Sequence, residues 1–310
     1  MEPTYQQLAL ATGVTLDVWT AGDAAHPPLI FLHGFPENHR TWRHQVAHLA
    51  DRFYCIAPDQ RGYGGSSKPP LVSDYSADKI TADVFALADA LGIDRFTIIG
   101  HDWGGAIAWS VALNGQPGAP DPAWAGRVVR AILANAPHPM IFQRLLIDNA
   151  EQRAASQYIR AFRDIRHDDD IRAHGLGPFL AKVTRWQDSE RMEPCERAAL
   201  HAEWADGARA IAMLNWYRAT PLYVPAMGEA AALPPMMLGD FPQLHIPTLL
   251  IWAMADLALP PANLDGIDAM VPNLTLVPIH GCGHFVTWQA PDAVNAAMDG
   301  FLSGAFGDSP

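Results

Sequence analysis

Short apolar runs alternate with segments of helical periodicity along much of the chain, and this alternation limits the folds that it can adopt. A hairpin is predicted around Thr12-Gly13. Apolar runs that end at turn-forming residues then predict four buried strands: Pro28–Leu32, Phe53–Ala57, Phe96–Ile99 and Val128–Ala134. Because strands that alternate with helices form mostly parallel sheets, we expect an α/β fold with helices on both faces.

The composition changes after Pro137. Residues 138–228 contain few β-branched runs and many Ala, Arg and acidic residues, which predicts an all-helical insertion after the sixth strand. Strand-like runs return at 247–252 and 274–279, and an amphipathic helix is predicted over Pro291–Leu302. We therefore divide the chain into a first core segment (1–137), a helical lid (138–228) and a second core segment (229–310). The lid should cover the carboxyl ends of the strands, where open α/β sheets bind ligands.

Two charged features are expected to face solvent. In the helix predicted over 76–91, Ile80, Val84 and Leu87 form the apolar face and Asp83 lies on the other side. The run Arg166-His167-Asp168-Asp169-Asp170 is typical of a solvated loop.

Composition narrows the classes of function. The 310 residues are 49% hydrophobic and 17% charged, and the net charge of −12 argues against binding to nucleic acid or anionic membranes. No apolar run approaches the ~20 residues of a membrane span, and the N-terminus does not resemble a signal peptide. The three cysteines, Cys55, Cys195 and Cys282, are scattered along the chain, which favours reduced thiols over a disulfide framework. We predict a cytoplasmic monomer or homodimer without nucleic-acid or membrane partners.

The stretch Gly100-His101-Asp102-Trp103-Gly104-Gly105 lies between a predicted strand and a predicted helix. Strand, Gly-x-nucleophile-x-Gly and helix form a nucleophile elbow, which projects the central side chain into a cleft. The central residue here is Asp102 instead of the usual serine. A carboxylate suits displacement at a saturated carbon, which leaves an alkyl ester on the enzyme for water to hydrolyse.

Hydrolysis of such an ester requires a base and a group that orients it. His284 follows the last predicted strand, and the chain order nucleophile, acid, histidine is that of α/β-hydrolases. Asp256 follows the preceding strand, where a carboxylate would hold the imidazole tautomer. Asp265 and Asp268 are nearby competitors. The place after the sixth strand, where some relatives carry the acid, holds Asn135.

Backbone amides should complete the site. The turn His33-Gly34-Phe35-Pro36 follows a buried strand, so the amide of Phe35 can stabilise an oxyanion together with that of Trp103. The peptide bond before Pro36 is a candidate for the cis form. The glycine-rich loop 59–67 lacks phosphate-binding spacing, and no cluster has metal spacing.

The ordered motifs together resemble the α/β-hydrolase epoxide hydrolases, close to haloalkane and haloacetate dehalogenases, over nearly the whole chain. These motifs are HGFPE (33–37), DQRGYGGSS (59–67), GHDWGG (100–105), the Asp256 segment and GCGHF (281–285). The resemblance implies two lid tyrosines that polarise the epoxide, and Tyr158 and Tyr217 lie in segments similar to those that carry the family's pair.

The resemblance implies a cofactor-free hydrolase that converts a neutral, hydrophobic epoxide to a vicinal diol. Asp102 would attack, His284 and Asp256 would activate water, and the aromatic residues Phe35, Trp103, Trp186 and Trp216 would line the substrate pocket. A haloalkane dehalogenase with the same triad is one alternative, although Phe35 stands where those enzymes typically carry Asn. A non-catalytic ligand-binding receptor on the same fold is another.

Overall fold

A computed structural model describes residues 3–184, 191–234 and 241–304. One eight-stranded sheet runs through the core with the strand order β1-β2-β4-β3-β5-β6-β7-β8. The first three strands in this order pair antiparallel and the remaining pairs are parallel. The strands are β1 (Thr4–Ala9), β2 (Thr15–Ala21), β3 (Pro28–Leu32), β4 (Tyr54–Pro58), β5 (Phe96–His101), β6 (Val128–Ala134), β7 (Thr248–Ala253) and β8 (Leu274–Ile279).

Helices fill the connections between the parallel strands. Those that belong to the core are α1 (Arg43–Leu49), α2 (Ala77–Ala90), α3 (Asp102–Gly115), α11 (Ile267–Met270), α12 (Val286–Gln289) and α13 (Pro291–Leu302). Buried hydrophobic residues form one cluster on each face of the sheet. This arrangement confirms the α/β fold predicted from the alternation of strands and helices, and the α/β-hydrolase fold that the resemblance implies.

The connection between β6 and β7 is helical, as the composition predicted. Its helices are α4 (Pro139–Asp148), α5 (Ala150–Ala155), α6 (Gln157–Arg163), α7 (Asp168–His174), α8 (Leu176–Val183), α9 (Pro194–Ala205) and α10 (Gly207–Ala219). Their apolar residues, such as Phe162 and Leu214, join the core cluster on one face of the sheet. The division of the chain at residues 138 and 228 stays a prediction. None of the helices in the three described ranges is long and apolar enough to cross a membrane.

Two expectations about charged residues were wrong. Asp83 is buried on α2, where Arg61 from the glycine-rich loop donates Nε and Nη2 hydrogen bonds of 2.6 and 2.7 Å to it. Thr12 donates a third hydrogen bond to the same carboxylate. The bidentate ion pair between Arg61 and Asp83 anchors the loop 59–67 to α2.

The run 166–170 is not a loop, because α7 begins at Asp168, which pairs with Arg218 at 2.5 Å. Its other charged residues Arg166, Asp169 and Asp170 are exposed, as expected. The partners of Asp83 and Asp168 lie 22 and 50 residues away along the chain, where no local pattern reveals them.

We expect Asp83→Asn to lower the free energy of unfolding by about 3–5 kcal/mol, because the charge of Arg61 stays buried without its partner. Chemical denaturation of the purified chain measures this difference. The matched control is Asp89→Asn on the same helix. Asp89 forms an ion pair with Arg127, and its side chain is 64% exposed. Asp89→Asn should therefore lower the free energy of unfolding by only about 0.5 kcal/mol. Equal losses in the two variants would contradict the assignment of the buried pair as an anchor.

Candidate active site

The elbow between β5 and α3 holds Asp102 in an unusual backbone conformation. Its φ angle is +51°, a left-handed region that side-chain-bearing residues rarely adopt. Close packing leaves no room for a side chain at the neighbouring glycines. A Cβ at Gly34 would lie 2.5 Å from the Cβ of Asp102, and one at Gly104 would lie 2.2 Å from the carbonyl oxygen of Leu32. The glycines are therefore a steric condition for the position of the carboxylate.

Backbone amides contact the Asp102 carboxylate where the sequence predicted them. The amide of Phe35 donates to Asp102 Oδ1 at 2.7 Å, and the amide of Trp103 also hydrogen-bonds the carboxylate. The Phe35–Pro36 peptide bond is cis. The two amides are thus in place to stabilise negative charge on the Asp102 carboxylate.

His284 lies between two carboxylates. Its Nε2 is 3.3 Å from Asp102 Oδ2, and its Nδ1 is 2.7 Å from Asp256 Oδ2. Burial alone lowers the pKa of His284, but the charges of Asp256 and Asp102 outweigh it and hold the pKa well above its usual range. The pKa of Asp102 is raised by burial, yet the hydrogen bond and charge of His284 leave it below its usual range. The free site therefore favours an imidazolium between two carboxylates.

Asp256 has hydrogen bonds on both of its oxygens. Oδ1 accepts from the amides of Ala258 and Leu259 at 2.8 and 3.0 Å. Oδ2 accepts from Asn135 Nδ2 at 2.8 Å as well as from His284. The competitors Asp265 and Asp268 are exposed. The arrangement keeps the Asp256 carboxylate in one orientation toward the imidazole.

Asn135 is a site residue that the sequence analysis did not assign. It is fully buried with a φ angle of +40°. Its amide both donates to Asp256 and accepts from the backbone of Ala253 at 2.8 Å. Its position after β6, at the carboxyl edge of the sheet, is the sequence feature that indicates a site residue. The sequence analysis treated this position only as a place for an acidic residue.

His101 and Glu37 were also overlooked, although both lie within motifs used for the resemblance. His101 Nε2 donates to the backbone carbonyl of His284 at 2.8 Å, and its Nδ1 lies 3.5 Å from Glu37 Oε2. Glu37 accepts from the indole of Trp288 at 2.7 Å. This buried network supports the loop that carries His284 from behind.

The two predicted lid tyrosines lie together opposite the nucleophile. Tyr158 on α6 and Tyr217 on α10 have ring centroids 6.1 Å apart and share a hydrogen bond between their hydroxyls. The indole N–H of Trp103 hydrogen-bonds Tyr217. Burial raises the pKa of both phenols, and the charge of Asp102 raises it further. Both phenols therefore remain protonated at neutral pH and can donate hydrogen bonds.

An apolar cavity of about 140 Å³ connects these groups. Asp102 and the two tyrosines line it together with Trp103, Ala106, Pro137, Pro139, Phe142, Ile159, Thr220, Leu222 and Leu259. A volume of this size holds a molecule comparable to benzene.

Two of the residues expected to contact substrate are placed elsewhere. Trp216 is 1% exposed, packs against Tyr63 and Trp103, and donates its indole N–H to the carbonyl of Arg61. The ring of Phe35 packs against Phe162 and Tyr217 rather than lining the cavity. These aromatic rings form the layer behind the tyrosines, a role that composition could not separate from substrate contact. Trp186 lies outside the described residues.

The described residues contain no group of three or more His, Cys, Asp or Glu side chains that could hold a metal ion. The site is thus a carboxylate at an elbow, a histidine between two carboxylates, two backbone amides and two buried phenols. This geometry defines a hydrolase of the α/β class with a carboxylate at the nucleophile position.

Comparisons with known proteins agree with this class. The model of the alpha/beta hydrolase fold family matches residues 27–291, and the chain belongs to this family. It is 30% identical to Epoxide hydrolase 1 of Caenorhabditis elegans over 94% of this chain and 68% of that one. It is also 30% identical to the AB hydrolase superfamily protein YfhM of Bacillus subtilis, over 97% of this chain and 99% of that one.

Solved structures give the same result. An epoxide hydrolase structure from metagenomes of hot environments is 54% identical, with a TM-score of 0.90 over 98% of this chain and all of that chain. A mutant epoxide hydrolase from Bacillus megaterium, in complex with its product (R)-3-[1]naphthyloxy-propane-1,2-diol, is 28% identical, with a TM-score of 0.82 over 96% of this chain and all of that one. The predicted resemblance to epoxide hydrolases is confirmed, and the protein is a hydrolytic enzyme.

The placement of His284 gives a direct prediction about its titration. We expect Asp102→Asn to lower the pKa of His284, because the variant removes one of the two negative charges that stabilise the imidazolium. Asp256→Asn should lower it more, since Asp256 contributes the larger electrostatic effect. NMR titration of the imidazole nitrogens measures both changes. Asp299→Asn, which removes a surface carboxylate next to His48, is the control and should leave the His284 titration unchanged. An unaltered midpoint in Asp102→Asn would contradict the charge coupling.

Proposed function

We propose that this enzyme hydrolyses a neutral, hydrophobic epoxide to a vicinal diol through a covalent ester on Asp102. The observation that carries the proposal is the cavity in which a carboxylate and a pair of hydrogen-bonded phenols face each other. Epoxide opening needs a nucleophile at carbon and a proton donor at oxygen. This cavity supplies both across a space of about the size of one small substrate.

In the first step, an Asp102 oxygen attacks an epoxide carbon and the C–O bond of the ring breaks. The electron pair of that bond stays on the epoxide oxygen, where Tyr158 and Tyr217 stabilise it by hydrogen bonds and one of them transfers a proton. Because the negative charge of Asp102 is consumed in the ester, the imidazolium of His284 loses one of its two stabilising partners. Its pKa then falls, and its proton passes through water to the tyrosinate that ring opening leaves. Both phenols are thereby restored, and His284 becomes a neutral base.

In the second step, His284 takes a proton from water and the resulting hydroxide attacks the carbonyl carbon of the Asp102 ester. Asp256, held by Asn135 and two backbone amides, stabilises the imidazolium that forms. The amides of Phe35 and Trp103 stabilise the oxyanion of the tetrahedral intermediate. Its collapse breaks the ester bond, and the departing alkoxide takes the proton of the His284 imidazolium to give the diol. The Asp102 carboxyl, which now carries one oxygen from water, then transfers its proton to His284, and the free site with a carboxylate and an imidazolium is restored.

The two buried phenols and the residue at position 35 favour an epoxide over a haloalkane substrate. Haloalkane dehalogenases typically hold the departing halide with an Asn and an indole N–H, whereas Phe35 stands at the position of that Asn here. A halide leaving group also needs no proton, so two buried phenols would have no task in its departure. The apolar lining and the complex of the Bacillus megaterium relative with an aryloxy diol support an apolar substituent on the epoxide.

Trapping tests the covalent mechanism. In His284→Gln the base is absent, so incubation with styrene oxide should convert the chain to a stable adduct whose mass exceeds that of the protein by one substrate. Peptide mass spectrometry should locate the adduct at Asp102. The matched control is His48→Gln, a surface histidine on α1, which should turn over without accumulating adduct. Diol formation in His284→Gln at the wild-type rate, or reversible binding without any adduct in either protein, would contradict the proposal.

Removal of one phenol tests the proton donors. We expect Tyr217→Phe to reduce the rate of epoxide opening about 10²- to 10⁴-fold, the usual range for loss of acid catalysis. Release of bromide from a 1-bromoalkane of similar size should change much less if it occurs at all. Rapid-quench detection of the ester and a halide electrode measure the two reactions. Equal losses in both would contradict the assignment of Tyr217 as an oxygen-polarising residue.

A further inference from the structure

Two lid arginines connect the helices that carry Tyr158 and Tyr217. Arg163 is the last residue of α6, and its Nε donates to the carbonyl oxygen of Tyr217 at 2.8 Å. Arg218, the residue after Tyr217 on α10, donates its Nε to the carbonyl oxygen of Phe162 at 3.3 Å. Each helix therefore provides an arginine to the backbone of the other.

The recipients are carbonyl groups at helix C-termini. Phe162 lies in the last turn of α6 and Tyr217 in the last turn of α10, where carbonyl groups have no partner within the helix. A cation at a helix C-terminus is also stabilised by the helix dipole. Arg163 donates a further bond of 3.3 Å to the carbonyl of Thr220, just beyond α10. The crossed contacts thus satisfy exposed carbonyl groups and fix the two helix ends relative to each other.

The environments of the two arginines differ. Arg218 forms a bidentate ion pair with Asp168 of α7, at 2.5 and 3.2 Å, and its side chain is only 7% exposed. Burial lowers the pKa of Arg163, and the neighbouring charge of Arg160 lowers it further. The hydrogen bonds from Arg163 to the carbonyls of Tyr217 and Thr220 compensate for part of the lost hydration of its guanidinium.

We propose that Arg163 is a positioning residue for epoxide opening, which sets the separation of the Tyr158 and Tyr217 hydroxyls through the backbone of Tyr217. The inference rests on the function proposed above. Tyr158 is on the same short helix as Arg163, five residues earlier, so a single side chain links the backbones of the two phenol-bearing residues. Aromatic contacts of Tyr217 with Phe35, Phe162 and Trp103, at 4.9 to 5.1 Å between centroids, then transmit this position to the hydroxyl.

The two chemical steps respond differently if this is correct. The phenols contact the epoxide oxygen only during ring opening, whereas ester hydrolysis depends on His284, Asp256 and the two amides. We expect Arg163→Met to slow formation of the alkyl-enzyme about 10- to 100-fold, the range for a displacement of a catalytic group by about 1 Å. The rate of hydrolysis of the preformed ester should stay within about twofold of the wild-type rate.

The experiment is a single turnover of styrene oxide with enzyme in excess, in which rapid-quench mass spectrometry follows the ester and the diol. Arg160→Met is the matched control, because Arg160 is on the same helix but donates to the carbonyl of Val224, outside α10. It should leave both rates within about twofold. Arg163→Lys keeps the charge and one donor group, and should recover part of the opening rate. Thermal unfolding of each variant shows that the comparison is between folded proteins.

A double variant sharpens the test. If Arg163 acts through the Tyr217 hydroxyl, Arg163→Met should have little further effect on ring opening in a Tyr217→Phe background, because the two losses are not additive. Three results would overturn this inference. Arg163→Met slows both steps equally, Arg160→Met slows ring opening as much as Arg163→Met does, or the effects of Arg163→Met and Tyr217→Phe are fully additive. A wild-type chain that forms neither ester nor diol would instead overturn the proposed function on which it rests.

Discussion

The site depends on one backbone constraint, the left-handed conformation of Asp102 at the end of β5. This conformation directs the carboxylate toward the helical lid and places its oxygen against the amide of Phe35. It is possible only because the neighbouring positions are glycine, since a Cβ at Gly34 would collide with Asp102 itself. The strands supply rigid support on both sides of the turn. The strain of one residue is thereby compensated by the packing of the sheet and of α3.

The charges of Asp102 and Asp256 control the protonation state of His284. Two carboxylates share one imidazole, so the free enzyme stabilises the protonated histidine and the ionised nucleophile together. In the proposed mechanism, consumption of the Asp102 charge in the ester changes the state of His284 without any movement of the chain. Asn135 contributes from the opposite side, because its donated hydrogen bond holds the Asp256 carboxylate in its orientation toward the imidazole. Coupling of this kind needs buried groups at short distances, where solvent does not screen the charges.

Much of this architecture follows from local sequence patterns. The positions of β6 and α13 agree with prediction to the residue, because an apolar run and an amphipathic period each specify their own limits. The sequence pointed to Asp102, His284 and Asp256 because each follows a strand at the same edge of the sheet, and the structure brings their side chains together. Asp83 and Asn135 could not be assigned in this way. Their roles depend on partners 22 and 121 residues away, Arg61 and Asp256, which no local pattern reveals. Trp216 shows the same limit, since an aromatic residue in the lid has the same composition whether it lines a pocket or packs behind it.

The apolar lining of the cavity has a consequence for the end of the catalytic cycle. In the proposed reaction a substrate with one weakly polar oxygen becomes a product with two hydroxyl groups, both of which are strongly hydrated in water. Apart from Asp102, Trp103, the phenols and Thr220, the described side chains that line the cavity offer these hydroxyls no hydrogen-bond partner. Retention of the diol would therefore cost free energy of dehydration that the epoxide does not incur. The apolar lining thus favours binding of the epoxide over binding of the more polar diol. Accumulation of diol should therefore inhibit the enzyme only weakly.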